Sequence, residues 1–234
     1  KELVQNHLTF FIFHHVALFP EYLWPRAIAV NGFVNVEGRK MSKSVGNIIP
    51  LRGLIQKHGP DLVRINIICS NEGLDDADWR TESMSGYMNR LMYIAELVDT
   101  IKAAKKTKAE NAEKHLMSRL QNIVKNTTDQ YAAAKFRSAV TYALFEATNE
   151  FRWYIRRTGG TAKANKKTLV QCIETVLKML APLTPHLCEE LWSRLGNKKL
   201  IALEPWPRES TKMRDLEAEA AEELVKKTIN DVDG

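Results

Sequence analysis

The sequence predicts a mostly α-helical protein that begins with a short α/β segment, and three observations carry that prediction. Apolar residues recur at helical spacing through most of the stretch from residue 81 to 195, with the Gly159-Gly160 pair and Pro182 at the breaks. The apolar run Ala27-Ile28-Ala29-Val30, followed by Gly32 to Val36, reads as β-structure ahead of a polar, basic loop. At 234 residues with 44% hydrophobic side chains, the chain can bury real cores and is not a disordered one.

The first segment, residues 1–19, reads as a helix that stops before Pro20, with His7, Phe11 and His14 on one face. Residues 27–30 are apolar enough for an inner parallel strand. The loop Gly38-Arg39-Lys40-Met41-Ser42-Lys43-Ser44-Val45-Gly46-Asn47 then leaves the end of the second strand. Lys40 and Lys43 can bring ammonium groups to a polyanion, Ser42 and Ser44 can hydrogen-bond phosphate oxygens, and Gly46 lets the backbone turn without a Cβ penalty. Such a loop suits a nucleoside triphosphate. A basic surface loop without a ligand is the alternative that composition alone leaves open. Helix, strands and loop together look like the last part of a Rossmann sheet, where ligands sit at the carboxyl ends of the strands.

Residues 51–58 form a short helix closed by Gly59-Pro60, residues 62–69 a helix or strand with Leu62, Ile65, Ile68 and Cys69 inside, and residues 71–78 an acidic turn. Asp75, Asp76 and Asp78 lack the glycine and closing glutamate of a calcium loop and read as a solvated turn and cap for a helix starting near Thr81. Five helices follow, over residues 82–107, 112–131, 135–157, 166–181 and 185–195. Gly159-Gly160 ends the third, Asn165 caps the fourth, Thr184 with Pro185 at the first helical position starts the fifth, and Gly196 closes it. Leu116, Leu120, Ile123 and Val124 form one apolar stripe, and Leu169, Ile173, Val176, Leu177 and Leu180 another, which makes an antiparallel bundle. Phe151-Arg152-Trp153-Tyr154-Ile155-Arg156-Arg157 interleaves aromatics with arginines, a mixture suited to RNA, with Trp153 and Ile155 read as packing residues. Residues 201–207 return as a proline-pinned extended segment. Residues 212–228 form a charged helix whose apolar positions Leu216, Ala220 and Leu224 fall four apart, with little to bury against.

Charge is uneven. Residues 1–80 carry 9 basic and 8 acidic groups, residues 81–209 carry 21 and 13, and residues 210–234 carry 4 and 7, so the bundle holds the positive surplus that fits a long polyanion. Exposed lysines at 102–108 and 163–167 are alternatives to the arginines as its source. Three widely spaced cysteines suggest neither disulfides nor a zinc site, and reduced thiols in the cytoplasm are the expectation. The most apolar segment, residues 8–19, is too short to span a bilayer, so no membrane partner is expected. No protein-bound metal is predicted, and His14, His15, His186 and Cys188 read as packing residues.

Lys40-Met41-Ser42-Lys43-Ser44 is letter for letter the KMSKS signature, and the chain resembles the class I aminoacyl-tRNA synthetases. Asn6 to Phe10, Trp24-Pro25-Arg26 and Val30-Asn31-Gly32-Phe33-Val34 make it similar to the leucyl-tRNA synthetase family of the archaeal and eukaryotic cytosolic type. The valyl and isoleucyl relatives carry His-Gly where Asn31-Gly32 stands. Leu180 to Trp192 is similar to the helix-break-helix of the family's anticodon-binding domain. The resemblance implies four parts: residues 1–49 as the end of a Rossmann catalytic domain, 50–80 as a stem-contact connector, 81–209 as a helical anticodon-binding domain, and 210–234 as a helix leading to a carboxy-terminal domain. It implies ATP with Mg2+, leucine and tRNA(Leu) as ligands. Lys43 and Lys40 would be the catalytic cations, Met41, Ser42 and Ser44 would contact ATP, and His7 would lie beside the aminoacyl-adenylate. Arg152, Arg156 and Arg157 would face tRNA. The HIGH motif and an editing domain do not occur in these residues, so the segment is expected to be inactive without a separate N-terminal catalytic half. A free-standing tRNA-binding module, or a piece of an isoleucyl, valyl or methionyl enzyme, are the alternatives.

Overall fold

The computed structural model describes residues 3–104 and 111–233. It is mostly helical with one small mixed sheet, as the sequence predicts. A π-helical turn (Val4–Leu8) leads into α1 (Thr9–Leu18), which ends at Phe19 ahead of Pro20. Among the described residues, α1 buries none of its side chains, although phenylalanine and isoleucine stand on every side of it.

The sheet contains β1 (Val34–Val36) in the middle, antiparallel to β2 (Arg39–Lys40) and parallel to β3 (Ala77–Trp79). Val36 pairs with Arg39, so Glu37 and Gly38 form a two-residue hairpin, and both take positive φ, 48° and 77°. That is the mirror-image turn whose twist matches the strands it joins, with glycine at the second position where it costs least. The predicted strand at 27–30 is not a strand. A strand needs a hydrogen-bonded neighbour, and among the described residues the segment has no ladder partner, despite its strand-like composition.

The acidic run differs from expectation in part. Its first part, residues 73–76, is the exposed turn expected, but it does not cap the next helix: the run continues as a strand from Ala77, and the Asp76 and Asp78 carboxylates tie down the hairpin segment. Asp76 accepts from the Phe33 amide at 2.8 Å, and Asp78 from the Gly38 amide at 2.8 Å. In return, Glu37 accepts from the Thr81 amide at 3.1 Å. A carboxylate that accepts from a backbone amide satisfies a donor the short ladder leaves open, which is why these acids lie beside strands. Gly32 is required here for space. A Cβ on it would collide with the Asp76 carboxylate and lie 2.8 Å from the Asp75 carbonyl, to which its own amide donates.

Helices α2 (Leu51–His58) and α3 (Pro60–Ile68) follow, separated by Gly59. The bundle consists of α4 (Ser83–Thr100), α5 (Asn111–Ala132), α6 (Phe136–Val140), α7 (Ala147–Thr158), α8 (Lys166–Leu180) and α9 (Pro185–Arg194). A π-helical stretch, Thr141–Glu146, joins α6 to α7 into the single long helix that periodicity implies. Both apolar stripes read from the sequence are buried. Asn165 caps α8 by accepting from the Thr168 amide, and Gly159 closes α7 in the left-handed region. Thr184 does not cap α9 with its side chain; its hydroxyl donates back to the Leu180 carbonyl. Asp61 of α3 takes the capping role, accepting from the Leu187 amide at 2.8 Å, from His186 Nδ1 at 2.8 Å and from Arg64 at 2.9 Å. His186 is therefore an exposed polar contact and not a packing residue, whereas Cys188 is buried. His14 and His15 do not pack in a core either, since each ring bonds a carbonyl four residues back on α1.

The last helix, α10 (Leu216–Asp233), corrects the expectation of a helix with nothing to lie on. It docks on α5 and α7 with its acidic face. Glu219 receives the Ser118 hydroxyl, and Glu222, 2% exposed, accepts from Arg157 at 2.8 Å and from the Trp153 indole at 2.9 Å. Leu216 and Leu224 point outward. The bundle presents Arg119 and Arg157 on this side, so ionic pairing rather than an apolar stripe decides which face is covered.

Candidate functional site

The hairpin β1–β2 carries residues 40–47 out from the sheet, and the loop closes upon itself. Asn47 Oδ1 accepts from the Ser42 amide at 2.9 Å, and Asn47 Nδ2 donates to the Lys40 carbonyl at 3.1 Å. The Ser42 and Ser44 hydroxyls lie 3.1 Å apart, and Ser42 Oγ also accepts from the Val45 amide. Both serines thus support the loop's own shape. Met41 is packed against the hydrophobic core, which fixes one side of the loop.

The two lysines are placed differently. Lys40 holds its ammonium 4.3 Å from the centroid of the Phe33 ring, a cation–π contact. Lys43 opens the turn that Gly46 closes by donating to its carbonyl, and its side chain is exposed with no ion pair among the described residues. An uncompensated ammonium on a preshaped turn can meet a charge that develops on a bound phosphate. For His7, among the described residues no hydrogen bond or ion pair joins residues 3–19 to the loop. Among the described residues, no group of three His, Cys, Asp or Glu side chains is arranged to hold a metal ion. Burial pushes the Cys69 and Cys188 thiols up to about 12, so both are poor nucleophiles.

The three arginines of the 151–157 run also separate. Arg157 is committed to Glu222. Arg152 lies over the Tyr93 ring, 4.8 Å from its centroid, and lines a shallow 330 Å³ cleft with Asn149, Trp153, Arg156, Lys226 and the carboxylate of Glu150. Sequence reasoning missed Arg90, which donates to Thr148 Oγ1 at 3.0 Å and Asn149 Oδ1 at 2.6 Å beside this cleft. Burial, and then the neighbouring positive charge of Arg152, push the Arg90 guanidinium below the ordinary arginine value. Nothing in the local sequence around Arg90 marks it, because its neighbours come from another helix. Lys163, Lys166 and Lys167 are exposed at the α7–α8 corner, and Lys105 to Lys108 lie outside the described residues.

The fold is a helical bundle with a basic surplus, joined to an α/β segment that presents a lysine–serine loop. Residues 113–233 match the anticodon-binding domain of tRNA ligase, and residues 1–103 match the class I tRNA synthetases (M). The chain belongs to the anticodon-binding domain family of tRNA ligases. Along its whole length it is a homologue of leucine–tRNA ligases. It is 38% identical over 236 residues to that of Pyrococcus furiosus and 39% identical over 240 residues to that of Methanosarcina acetivorans, covering 99% and 100% of this chain. It spans 24% of the length of each of these relatives. The fold is shared with the LeuRS of Agrobacterium radiobacter K84, solved as a ternary complex with tRNA and LeuAMS. That likeness has a TM-score of 0.74 and 23% identity, covering 92% of this chain and 28% of the other.

Proposed function

We propose that this chain is a segment of a leucine–tRNA ligase, which activates leucine with ATP and transfers it to tRNA(Leu). The observation that carries the proposal is the Lys40–Ser44 loop, held in a defined turn with Lys43 exposed and making no ion pair among the described residues, in a chain aligned end to end with leucine–tRNA ligases. In that reaction the leucine carboxylate attacks the α-phosphorus, the bond to pyrophosphate breaks, and negative charge grows on the departing group. Lys43 is assigned to that charge. Lys40, released from Phe33, is the second cation, and the Met41 backbone lies toward the adenine. Ser42 and Ser44 steady the loop. Mg2+ would enter on the phosphates, as it does where a protein supplies few ligands of its own. His7 is assigned to the aminoacyl-adenylate once the rest of the catalytic domain is in place. The apolar helix α1, exposed on all sides here, offers the surface against which that N-terminal half would pack.

The division at residues 49, 80 and 209 into catalytic, connector, tRNA-facing and carboxy-terminal parts belongs to the same proposal, as does a cytoplasmic setting. No helix among the described residues is long and apolar enough to cross a membrane. The test is exchange of labelled pyrophosphate into ATP by a full-length protein containing this segment. Leucine should support it well above isoleucine, valine and methionine. Preference for valine would keep the class and remove the leucine assignment. No exchange with any amino acid would favour a tRNA-binding module without catalysis.

The RNA face is assigned to Arg152, Arg156 and Arg157 on the α7 side of the bundle. Binding of tRNA by the isolated chain is expected to be weak and electrostatic, with log affinity falling against log salt at a slope of roughly −3 if three or four phosphates are neutralised. Changing the three arginines together to glutamine should flatten that slope, with Arg157 contributing least because it is already paired with Glu222. The same change at Lys163, Lys166 and Lys167 is the comparison. If neither set alters the slope in a salt titration, the positive charge is a solvated surface.

A further inference from the structure

We infer that Asn47 is a positioning residue: its carboxamide clasps residues 40–46 so that the Lys43 ammonium is held ready at an exposed turn. The inference rests on the reading of this loop as the nucleotide-contacting one. It adds a residue outside the five-residue motif, and one that touches no substrate.

The argument is geometric. One carboxamide bonds the backbone at both residue 40 and residue 42, accepting at 2.9 Å from the Ser42 amide and donating at 3.1 Å to the Lys40 carbonyl. A carboxamide carries its donor and its acceptor on separate atoms of one planar group, which lets it reach both backbone groups, and the chemistry of the two partners fixes which way the amide faces. The ring so closed contains three further bonds: Val45 N–H to Ser42 Oγ at 3.2 Å, the two serine hydroxyls at 3.1 Å, and Gly46 N–H to the Lys43 carbonyl at 3.2 Å. Gly46 takes φ 73°, the left-handed region, which lets the chain return to Asn47 after four residues. Met41 and Ile49 pack on the core on either side, so the clasp has a fixed base. Without the carboxamide, what remains between the loop's two stems is turn bonds within an exposed segment. Such a segment samples many conformations, and a displacement of about 1 Å at a group that stabilises a transition state can cost on the order of 100-fold in rate.

The test uses Asn47→Ala and Asn47→Asp in two settings. In this chain, trypsin cleavage after Lys40 and Lys43 reads the order of the loop directly. Asn47→Ala should be cut roughly tenfold faster than wild type, with an unchanged melting temperature, because proteolysis follows the population of the open loop. Asn47→Asp, which keeps the acceptor for Ser42 and loses the donor to Lys40, should fall between. In the full-length protein, Asn47→Ala should lower kcat of leucine-dependent exchange by roughly 10- to 30-fold while KM for leucine stays within about twofold, since the loss is one of alignment. Equal cleavage of wild type and Asn47→Ala would overturn the clasp, and so would faster cleavage with exchange unchanged while Lys43→Ala is inactive. If Lys43→Ala is itself silent, the catalytic reading of the loop has failed, and the cleavage rates still decide whether Asn47 orders it.

Discussion

Lys43→Ala, introduced into a full-length protein that carries this segment, is expected to slow leucine-dependent ATP–pyrophosphate exchange by on the order of 100-fold or more, with KM for leucine little changed. The expectation follows from the different settings of the two lysines. The Lys40 ammonium already interacts with the Phe33 ring at 4.3 Å and must leave it to act elsewhere. Lys43 is exposed and makes no ion pair among the described residues, so its charge is fully available to the departing pyrophosphate. A contact formed only as charge develops affects the chemical step and not ground-state binding, which predicts a fall in kcat. Lys40→Ala should do less, because part of the gain from Lys40 is offset by the lost cation–π contact, worth about 0.5–1 kcal/mol at exposed sites. Exchange by Lys43→Ala within twofold of wild type would remove Lys43 from the reaction.

The loop could be found in the sequence because its chemistry is local: lysine, serine and glycine within ten residues need no partner from elsewhere to be recognised. The helices were legible for a similar reason, since apolar residues at positions such as 116, 120 and 123 do face the core. Asn165 and Gly159 marked helix ends through their own backbone preferences. What failed depended on distant partners. Ala27 to Val30 has a strand's composition, but a ladder is a property of two segments. The exposed turn at residues 73–76 was legible, but the bonds of Asp76 and Asp78 were not, because the amides they cap, on Phe33 and Gly38, lie about forty residues earlier. On α10 the rule that apolar means buried pointed to the wrong face. Leu216 and Leu224 are outside, and the acids are inside because arginines await them.

Glu150 gives the largest expected effect on stability. It is 7% exposed on α7 and accepts from His115 Nε2 at 3.0 Å and Arg119 Nε at 3.0 Å, with Lys226 of α10 3.8 Å away. Burial by itself would raise its pKa, but the His115 hydrogen bond, the Lys226 charge and the Arg119 hydrogen bond outweigh that and hold it at about 2, against an ordinary 4.5. A carboxylate depressed on folding contributes stability above its unfolded value, near pH 4.5, and loses it as pH falls through the folded value toward 2. The difference of about 2.5 units corresponds to roughly 3 kcal/mol at neutral pH. Glu150→Gln should therefore lower the melting temperature at pH 7 by roughly 6–12 °C for a chain of this size, and should flatten the acid limb between about pH 4.5 and 2. Glu146→Gln is the matched control on the same helical run. Burial raises the Glu146 pKa despite Arg119, so its charge is not favoured by folding and its loss should cost little. If Glu150→Gln melted within 2 °C of wild type and kept the same acid limb, the cluster joining α5, α7 and α10 would not be what fastens the last helix to the bundle.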